Sequence, residues 1–403
     1  MRGLTKDEAA AVERVAGEPM LAQVEAWAAV NSGSHNLAGL NQVAALLADA
    51  FAALPGEPVL REAGPVDSIT PSGERLALRH GRNLHLAVRP RAPVQLLFTG
   101  HMDTVFAADH PFQDVFWRDE GVLGGPGVAD MKGGLAVLLA ALKAVEASPF
   151  AAGLGYEVVI NSDEEVGSPG SAALIAEAAR GKKAALTYEP SALPDGTLAG
   201  ARPGSGNFSL IIKGRSAHAG RNPEEGRNAV LAAAELALRL ADAKAEGLSV
   251  NPARIDGGGP NNVVPDHAVL RINMRPRTLA DQARAQAALE EAVGQVAAKR
   301  DLCIIMHGGW GRPPKPLDPA AERLFALVAS CGADLGQKIG WRDSGGVCDG
   351  NNIAACGVPV VDTMGVRGGA IHSDAEYLIV ESLAERARLS ALTILRLAQG
   401  EGL

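Results

Sequence analysis

The amino-acid sequence predicts an α/β protein whose mostly parallel sheet is interrupted by a smaller α+β unit. Apolar strand-like runs alternate with helix-like runs through the first half of the chain, the pattern of a parallel sheet covered by helices on both faces. Beyond "ARPGSG" the pattern changes to β-α-β-β-α-β, the split order of a ferredoxin-like sandwich. After "GRPPKPLDP" the chain returns to helix, Gly-rich loop, strand and helix. The expected division is therefore 1–202 and 313–403 for the larger unit and 203–312 for the insertion. A length of 403 residues also exceeds what one ordinary core supports.

The elements follow from local pattern. "MLAQVEAWAAVNS" and "LAGLNQVAALLADAFAAL" space their apolar residues as helices do. "RLALRH" and "LHLAVRP" read as short strands, expected to form a hairpin about the Gly-Arg-Asn turn. "VQLLFTG" is nearly continuous in apolar residues and predicts a buried strand. "GGLAVLLAALKAVEA" predicts a buried helix, and "YEVVINSDEE" and "KAALTYEP" predict buried strands ending in acids, with the helix "SAALIAEAAR" between them. In the insertion, "NFSLIIKG", "NPARIDGGG", "HAVLRINMRPR" and "LCIIMHG" supply the strands. "RNAVLAAAELALRLADAKA" and "LADQARAQAALEEAVGQVAAKR" supply its helices. "VPVVDTMG" is a late strand of the larger unit.

Composition narrows the function. Hydrophobic residues make up 47% and charged residues 21%, an ordinary globular balance. The net charge of −8, with no dense Lys/Arg run, argues against a nucleic-acid or anionic-membrane partner. No run of about 18 apolar residues predicts a membrane span, and the N-terminus lacks a signal-peptide core. Cys303, Cys331, Cys348 and Cys356 lack CxxC spacing, which disfavours a disulfide framework or a thiolate zinc site. A cytoplasmic location with reduced thiols is expected.

Chemistry gathers at predicted strand ends. In "LLFTGHMDTVF", His101 and Asp103 stand two apart where a strand finishes, so both side chains face one way. Alone, such a pair is usually a solvated strand end. Here Asp130 in "GPGVADMKGG", Glu164 and Glu165 in "NSDEEVGS", Glu189 in "TYEP" and His372 in "GGAIHSDAEYL" join it. Function collects at the carboxyl edge of parallel sheets. Carboxylates packed there repel unless protonated or bound to cations. Imidazole with carboxylate and no thiolate suits zinc, and also Mn or Co. Two metals ~3.5–4 Å apart are a recurrent hydrolytic device. It needs a bridging carboxylate, a hydroxide as nucleophile and a general base. Adjacent acids such as Glu164 and Glu165 point to different sides, so one can ligate while the other handles the proton.

The ordered motifs "GHMDTV", "GPGVADMKGG", "NSDEEVGSPGS", "TYEP", "GRSAHAGRNPEEGRNAV", "NNVVPD" and "IHSDAEYL" resemble a dinuclear-zinc amidohydrolase family. That family includes glutamate carboxypeptidase, acetylornithine deacetylase, succinyl-diaminopimelate desuccinylase and aminoacylase. The similarity runs from about residue 20 to the C-terminus and is nearest the glutamate carboxypeptidase branch. It implies a zinc-peptidase-like catalytic domain with an inserted lid and dimerisation domain, and two Zn2+ per subunit. It further implies that His101 and Glu189 hold one zinc, Glu165 and His372 the other, and that Asp130 bridges them. Glu164 would be the general base and acid, Asp103 would orient His101, and the Asp130–Met131 peptide would be cis.

For substrate contacts the resemblance implies His218, reaching across a homodimer as an oxyanion donor, and Asn262 beside it. Arg275 and Arg312 are candidate carboxylate clamps. Gly346, in the "DSGGVCDGNN" loop, would offer its backbone to an anion. Val347 and Cys348 replace the family's usual Thr-Ser there, which removes hydroxyl donors. Cys348 has no histidine base indicated, and "GPGVAD" is not a P-loop. The implied activity is hydrolysis of the amide in N-acyl amino acids or in peptides with a free C-terminal carboxylate. The alternative is an N-deacetylase or desuccinylase. A scaffold that kept the fold would lack ligand positions, and none is missing.

Overall fold

The computed structural model describes residues 2–402. Seven strands of the first part carry the architecture. They are β1 (Val59–Arg61), β2 (Val66–Ile69), β3 (Arg75–Leu78), β4 (Asn83–Val88), β5 (Val94–His101), β6 (Leu154–Asn161) and β7 (Ala184–Thr187). Helices α1 (Leu37–Phe51), α2 (Gly133–Glu146) and α3 (Ala172–Ala179) pack around them. β5 is the spine, running parallel to β6 on one side and to β7 on the other. Its alternate side chains enter two cores. Leu96 and Phe98 join the one that includes α1 and α2, and Leu97 joins α3. Each such fully buried side chain is worth roughly 1.5–3 kcal/mol against exposure.

The chain then leaves this sheet for the insertion. β8 (Ser205–Lys213), α4 (Ala229–Asp242), β9 (Leu248–Gly257), β10 (His267–Pro276), α5 (Leu279–Arg300) and β11 (Cys303–Arg312) follow in sequence. The strands form an antiparallel sheet in the order β9-β10-β8-β11, the ferredoxin-like arrangement. Asn228 caps α4, and a Thr278–Asp281 capping box starts α5. A separate core joins Leu210, Ile212, Leu236, Leu270 and Leu289. On return, β12 (Val360–Val361) pairs in parallel with β7 and completes the order β1-β4-β6-β5-β7-β12. The C-terminal α6 (Glu381–Ala398) packs against α2.

The expected hairpin of "RLALRH" with "LHLAVRP" does not form. β3 pairs instead with β2, and β4 pairs with β1 and β6. The reason is burial. Leu84, Leu86 and Val88 are fully enclosed and belong to the main core, whereas most of β3 is exposed. The β2–β3 hairpin lies against the inserted sheet, where Ile69 packs on Ile211 and Val269. Arg271 Nη2 donates to the Ile69 carbonyl at 2.9 Å, and His267 Nε2 donates to that of Pro71 at 3.0 Å.

Candidate metal centre

Three neighbouring parallel strands deliver the site. β6, β5 and β7 end side by side, bringing Glu164 and Glu165, His101 and Asp103, and Glu189 to one edge. Asp130 comes from the turn before α2. Gly127 enters that turn at φ +74, where a Cβ would meet Thr104 Cγ2 at 2.7 Å. Asp130 and Met131 depart from helical angles, and the peptide between them is cis. Gly134, in the first turn of α2, allows the helix to touch β7's exit. A Cβ there would fall 1.9 Å from the Tyr188 carbonyl oxygen. His372 reaches in from a loop after β12, at φ +62, the left-handed region that non-glycine residues seldom occupy.

Asp130 faces both imidazoles. Its Oδ1 lies 3.1 Å from His101 Nε2 and its Oδ2 lies 3.3 Å from His372 Nε2. Glu189 Oε2 is 3.7 Å from His101 Nε2, and Glu165 Oε2 is 3.1 Å from His372 Nε2. Ligand-competent atoms of His101, Asp130 and Glu165, and of His101, Glu164 and Glu189, each gather within 4.8 Å of one another. His101 Nδ1 donates to the main-chain carbonyl of Asp103 at 3.0 Å, with the Asp103 carboxylate at 3.3 Å. That contact places a proton on Nδ1 and turns Nε2 toward Asp130 and Glu189.

The charges explain what such a cluster needs. Burial pushes Glu164 up to about 8, and Glu165 and Glu189 up to about 7. Burial would also raise Asp130, but its hydrogen bonds to His101 and His372 hold it well below the usual carboxylate range. Contacts with Asp130 and Glu165 push His372 up to about 11. Burial disfavours a charged His101, yet Glu189, Asp103 and Asp130 raise it well above an ordinary imidazole. With only its own groups the site retains protons on acids and imidazoles alike. Divalent cations would replace those protons, and the all-oxygen-and-nitrogen donor set fits zinc, cobalt or manganese.

The supporting contacts were not legible as such in the sequence. Ser34 Oγ donates to Asp103 Oδ2 at 2.7 Å. Glu376 accepts from the backbone of Gly127, Ala129 and Asp130 at 3.0–3.1 Å, fixing the Asp130 turn. Glu376 sits inside the quoted motif "IHSDAEYL", but only the histidine carried a signal there. Arg202 grips Asp362 through Nε and Nη2 at 2.8 and 3.0 Å, with Lys315 Nζ at 3.1 Å from the same carboxylate.

A pocket of about 240 Å³ opens over the cluster, lined by Asp130, Glu164, Glu165, Glu189, Arg202 and His372, with Gly346, Val347 and Cys348 at its rim. The other expected substrate contacts lie elsewhere. His218 and Asn262 are exposed neighbours on the insertion. Arg275 is exposed in a separate cleft of about 1030 Å³, which meets the pocket at Arg202 and Ser344. Arg312 is buried. Instead of facing the pocket as a carboxylate clamp, it binds Glu164, Ser168 and Asp349. All four cysteines are unpaired, and Cys348 is buried with its thiol pushed up by burial.

Comparison with known proteins places the chain in a family. Carboxypeptidase G2 of Pseudomonas sp. (strain RS-16) is 31% identical over 326 residues, spanning 80% of this chain and 78% of that one. A succinyl-diaminopimelate desuccinylase of Nitrosospira multiformis is 27% identical over 342 residues, 80% of this chain and 88% of that one. Among solved structures, Bacillus subtilis YXEP, described as a dinuclear metal-binding peptidase, matches the fold with a TM-score of 0.65 at 16% identity. That match covers 94% of this chain and 98% of YXEP. The sequence pattern of peptidase family M20/M25/M40 spans residues 97–396, from β5 to within α6, and the chain belongs to this family of metal-dependent hydrolases.

Proposed function

We propose that the protein hydrolyses the amide bond of N-acyl amino acids, or of peptides with a free C-terminal carboxylate, in the manner of a glutamate carboxypeptidase. One observation carries the reading: Asp130 offers one oxygen to each imidazole, while Glu164 stands apart from that bridge. His101, Glu189 and Asp130 would hold one metal, and Asp130, Glu165 and His372 the other. Bound there, two divalent ions supply charge that acidifies water and polarises the scissile carbonyl. Glu164 takes the proton from the attacking water and returns it to the leaving amine as the C–N bond breaks. Asp103 keeps the His101 ring in one tautomer. The rim at Gly346 faces the substrate's carboxylate with backbone groups.

His218 and Asn262 are exposed and do not line the pocket over the cluster of their own subunit. A homodimer through the insertion, with His218 donated to the partner's site, accounts for their place in the motif order. Sedimentation gives the oligomeric state. Mixing Glu164→Gln and His218→Ala subunits should then recover activity that neither variant has alone.

The deciding experiment is a hydrolysis screen of N-acyl amino acids and dipeptides with zinc- or cobalt-loaded enzyme, varying the C-terminal residue first. Glu164→Gln should keep its metal and lose about 10²–10⁴-fold in rate. Unchanged turnover in that variant would sink the mechanism. The desuccinylase relative supports a second reading, N-deacylation of a biosynthetic intermediate. Release of C-terminal glutamate without turnover of acetylornithine separates the two.

A further inference from the structure

The buried guanidinium of Arg312 is the least expected neighbour of the centre. Its Nη2 lies 2.7 Å from Glu164 Oε1 and donates to the Glu164 carbonyl at 2.9 Å. The same nitrogen reaches Ser168 Oγ at 3.0 Å and Asp349 Oδ1 at 3.4 Å, and Nη1 donates to the Val347 carbonyl at 3.4 Å. Asp349 is itself buried and accepts from Asn161 Nδ2 at 2.9 Å, so the guanidinium is braced from behind by the end of β6. Arg312 has no free face to offer a substrate. It is only 5% exposed and does not line the pocket over the cluster.

Its position in the chain matters as much as its contacts. Arg312 is the last residue of β11, and it pairs in register with Ser205, the first residue of β8. Both connections between the insertion and the larger unit therefore meet at the residue that touches Glu164. We infer that Arg312 is a positioning residue for Glu164, tying the general base to the hinge of the inserted domain. Moving the insertion moves the strand end that carries Arg312, and with it the partner that sets where the Glu164 carboxylate rests. The contact of Nη1 with the Val347 carbonyl helps hold the guanidinium in this position.

The inference rests on Glu164 being the base, and the experiment separates the two. Arg312→Met and Arg312→Lys are prepared as full-length, metal-loaded enzymes alongside Glu164→Gln and the Glu164→Gln/Arg312→Met double variant. Each is assayed on the best-hydrolysed member of the N-acyl amino acid and dipeptide panel. Arg312→Met should lower kcat by about 10²-fold, the scale expected when a reacting group is misplaced by about 1 Å. KM should stay within about threefold, and metal content by atomic emission should be unchanged. Arg312→Lys keeps the buried charge without the planar fork, so it should fold normally and retain an intermediate kcat. The double variant should be no slower than Glu164→Gln alone, because Arg312 acts only through that carboxylate.

A KM raised tenfold or more with kcat preserved would make Arg312 a substrate clamp and overturn the inference. Multiplying losses in the double variant would overturn it too, while leaving the base assignment intact. Full activity in Glu164→Gln would remove the base assignment itself, and the role of Arg312 with it.

Discussion

Asp103 holds Glu164 by its backbone. The Asp103 carboxylate accepts the Glu164 N–H at 3.1 Å through Oδ1 and the Glu165 N–H at 3.2 Å through Oδ2. The residue beside the His101 ring is thus also the anchor of both acids at the end of β6. Removing it should loosen His101, Glu164 and Glu165 at once.

Asp103→Ala is predicted to weaken metal binding by about 10–100-fold, the usual cost of losing an outer hydrogen-bond partner of a ligand. Competition with a chromophoric chelator measures this directly. Native affinity in the variant would show that the main-chain carbonyl of Asp103 suffices to orient His101.

Metal removal should destabilise the fold as well as stop catalysis. Glu164 and Glu189 are buried, the Glu165 side chain is nearly so, and a cation that binds only the folded state stabilises it by mass action. At free metal a thousandfold above Kd the gain is about 4 kcal/mol. Urea unfolding with zinc, and after exhaustive dialysis against a chelator, should differ by that order. Coincident curves would argue against a metal at this edge.

Gly134→Ala should damage the site without touching a ligand. The added Cβ would overlap the Tyr188 carbonyl oxygen, one residue before Glu189. Overpacking of this kind costs about 1–3 kcal/mol. Thermal unfolding should register the loss, and zinc affinity should fall with it. A stable variant with native affinity would mean that α2 and β7 can separate freely.

The Arg202–Asp362–Lys315 group gives a prediction with a definite sign in pH. Burial alone would raise Asp362, but Arg202 and Lys315 override it and hold the carboxyl below its usual value. Its contribution is complete above the unfolded carboxylate pKa, about 4, and is lost as pH falls through the lower folded value. Asp362→Ala strands two buried cations and should cost about 3–5 kcal/mol at neutral pH. The gap between wild type and variant should hold above about pH 5 and narrow below about pH 4. Equilibrium unfolding across that range tests it, and a gap that widens in acid would contradict the assignment.

Much of this was legible beforehand because it is periodic. The two-residue spacing of His101 and Asp103, the continuous apolar runs of β5 and β6, and the six elements of the insertion are local patterns, and each appears in the structure. Pairing is not local. β3 and β4 looked like partners because they are adjacent, yet the demand to bury Leu84 and Leu86 sent β4 to β6. Arg312 was misplaced for the same reason. "GRPP" reveals an arginine at a hinge, but only folding shows that Asp349 and Glu164 enclose it.

The late arrival of β12 has a consequence for synthesis. β5, β6 and β7 can assemble while the insertion is still being made, and with them His101, Asp103, Glu164, Glu165 and Glu189. His372 follows only after the insertion and β12 have been threaded in, so the nascent chain spends that interval with one imidazole of the two. Closing so long a loop draws on chain entropy before any contact rewards it. The edge formed by β6, β5 and β7 therefore lacks His372 until the C-terminal part docks and supplies it.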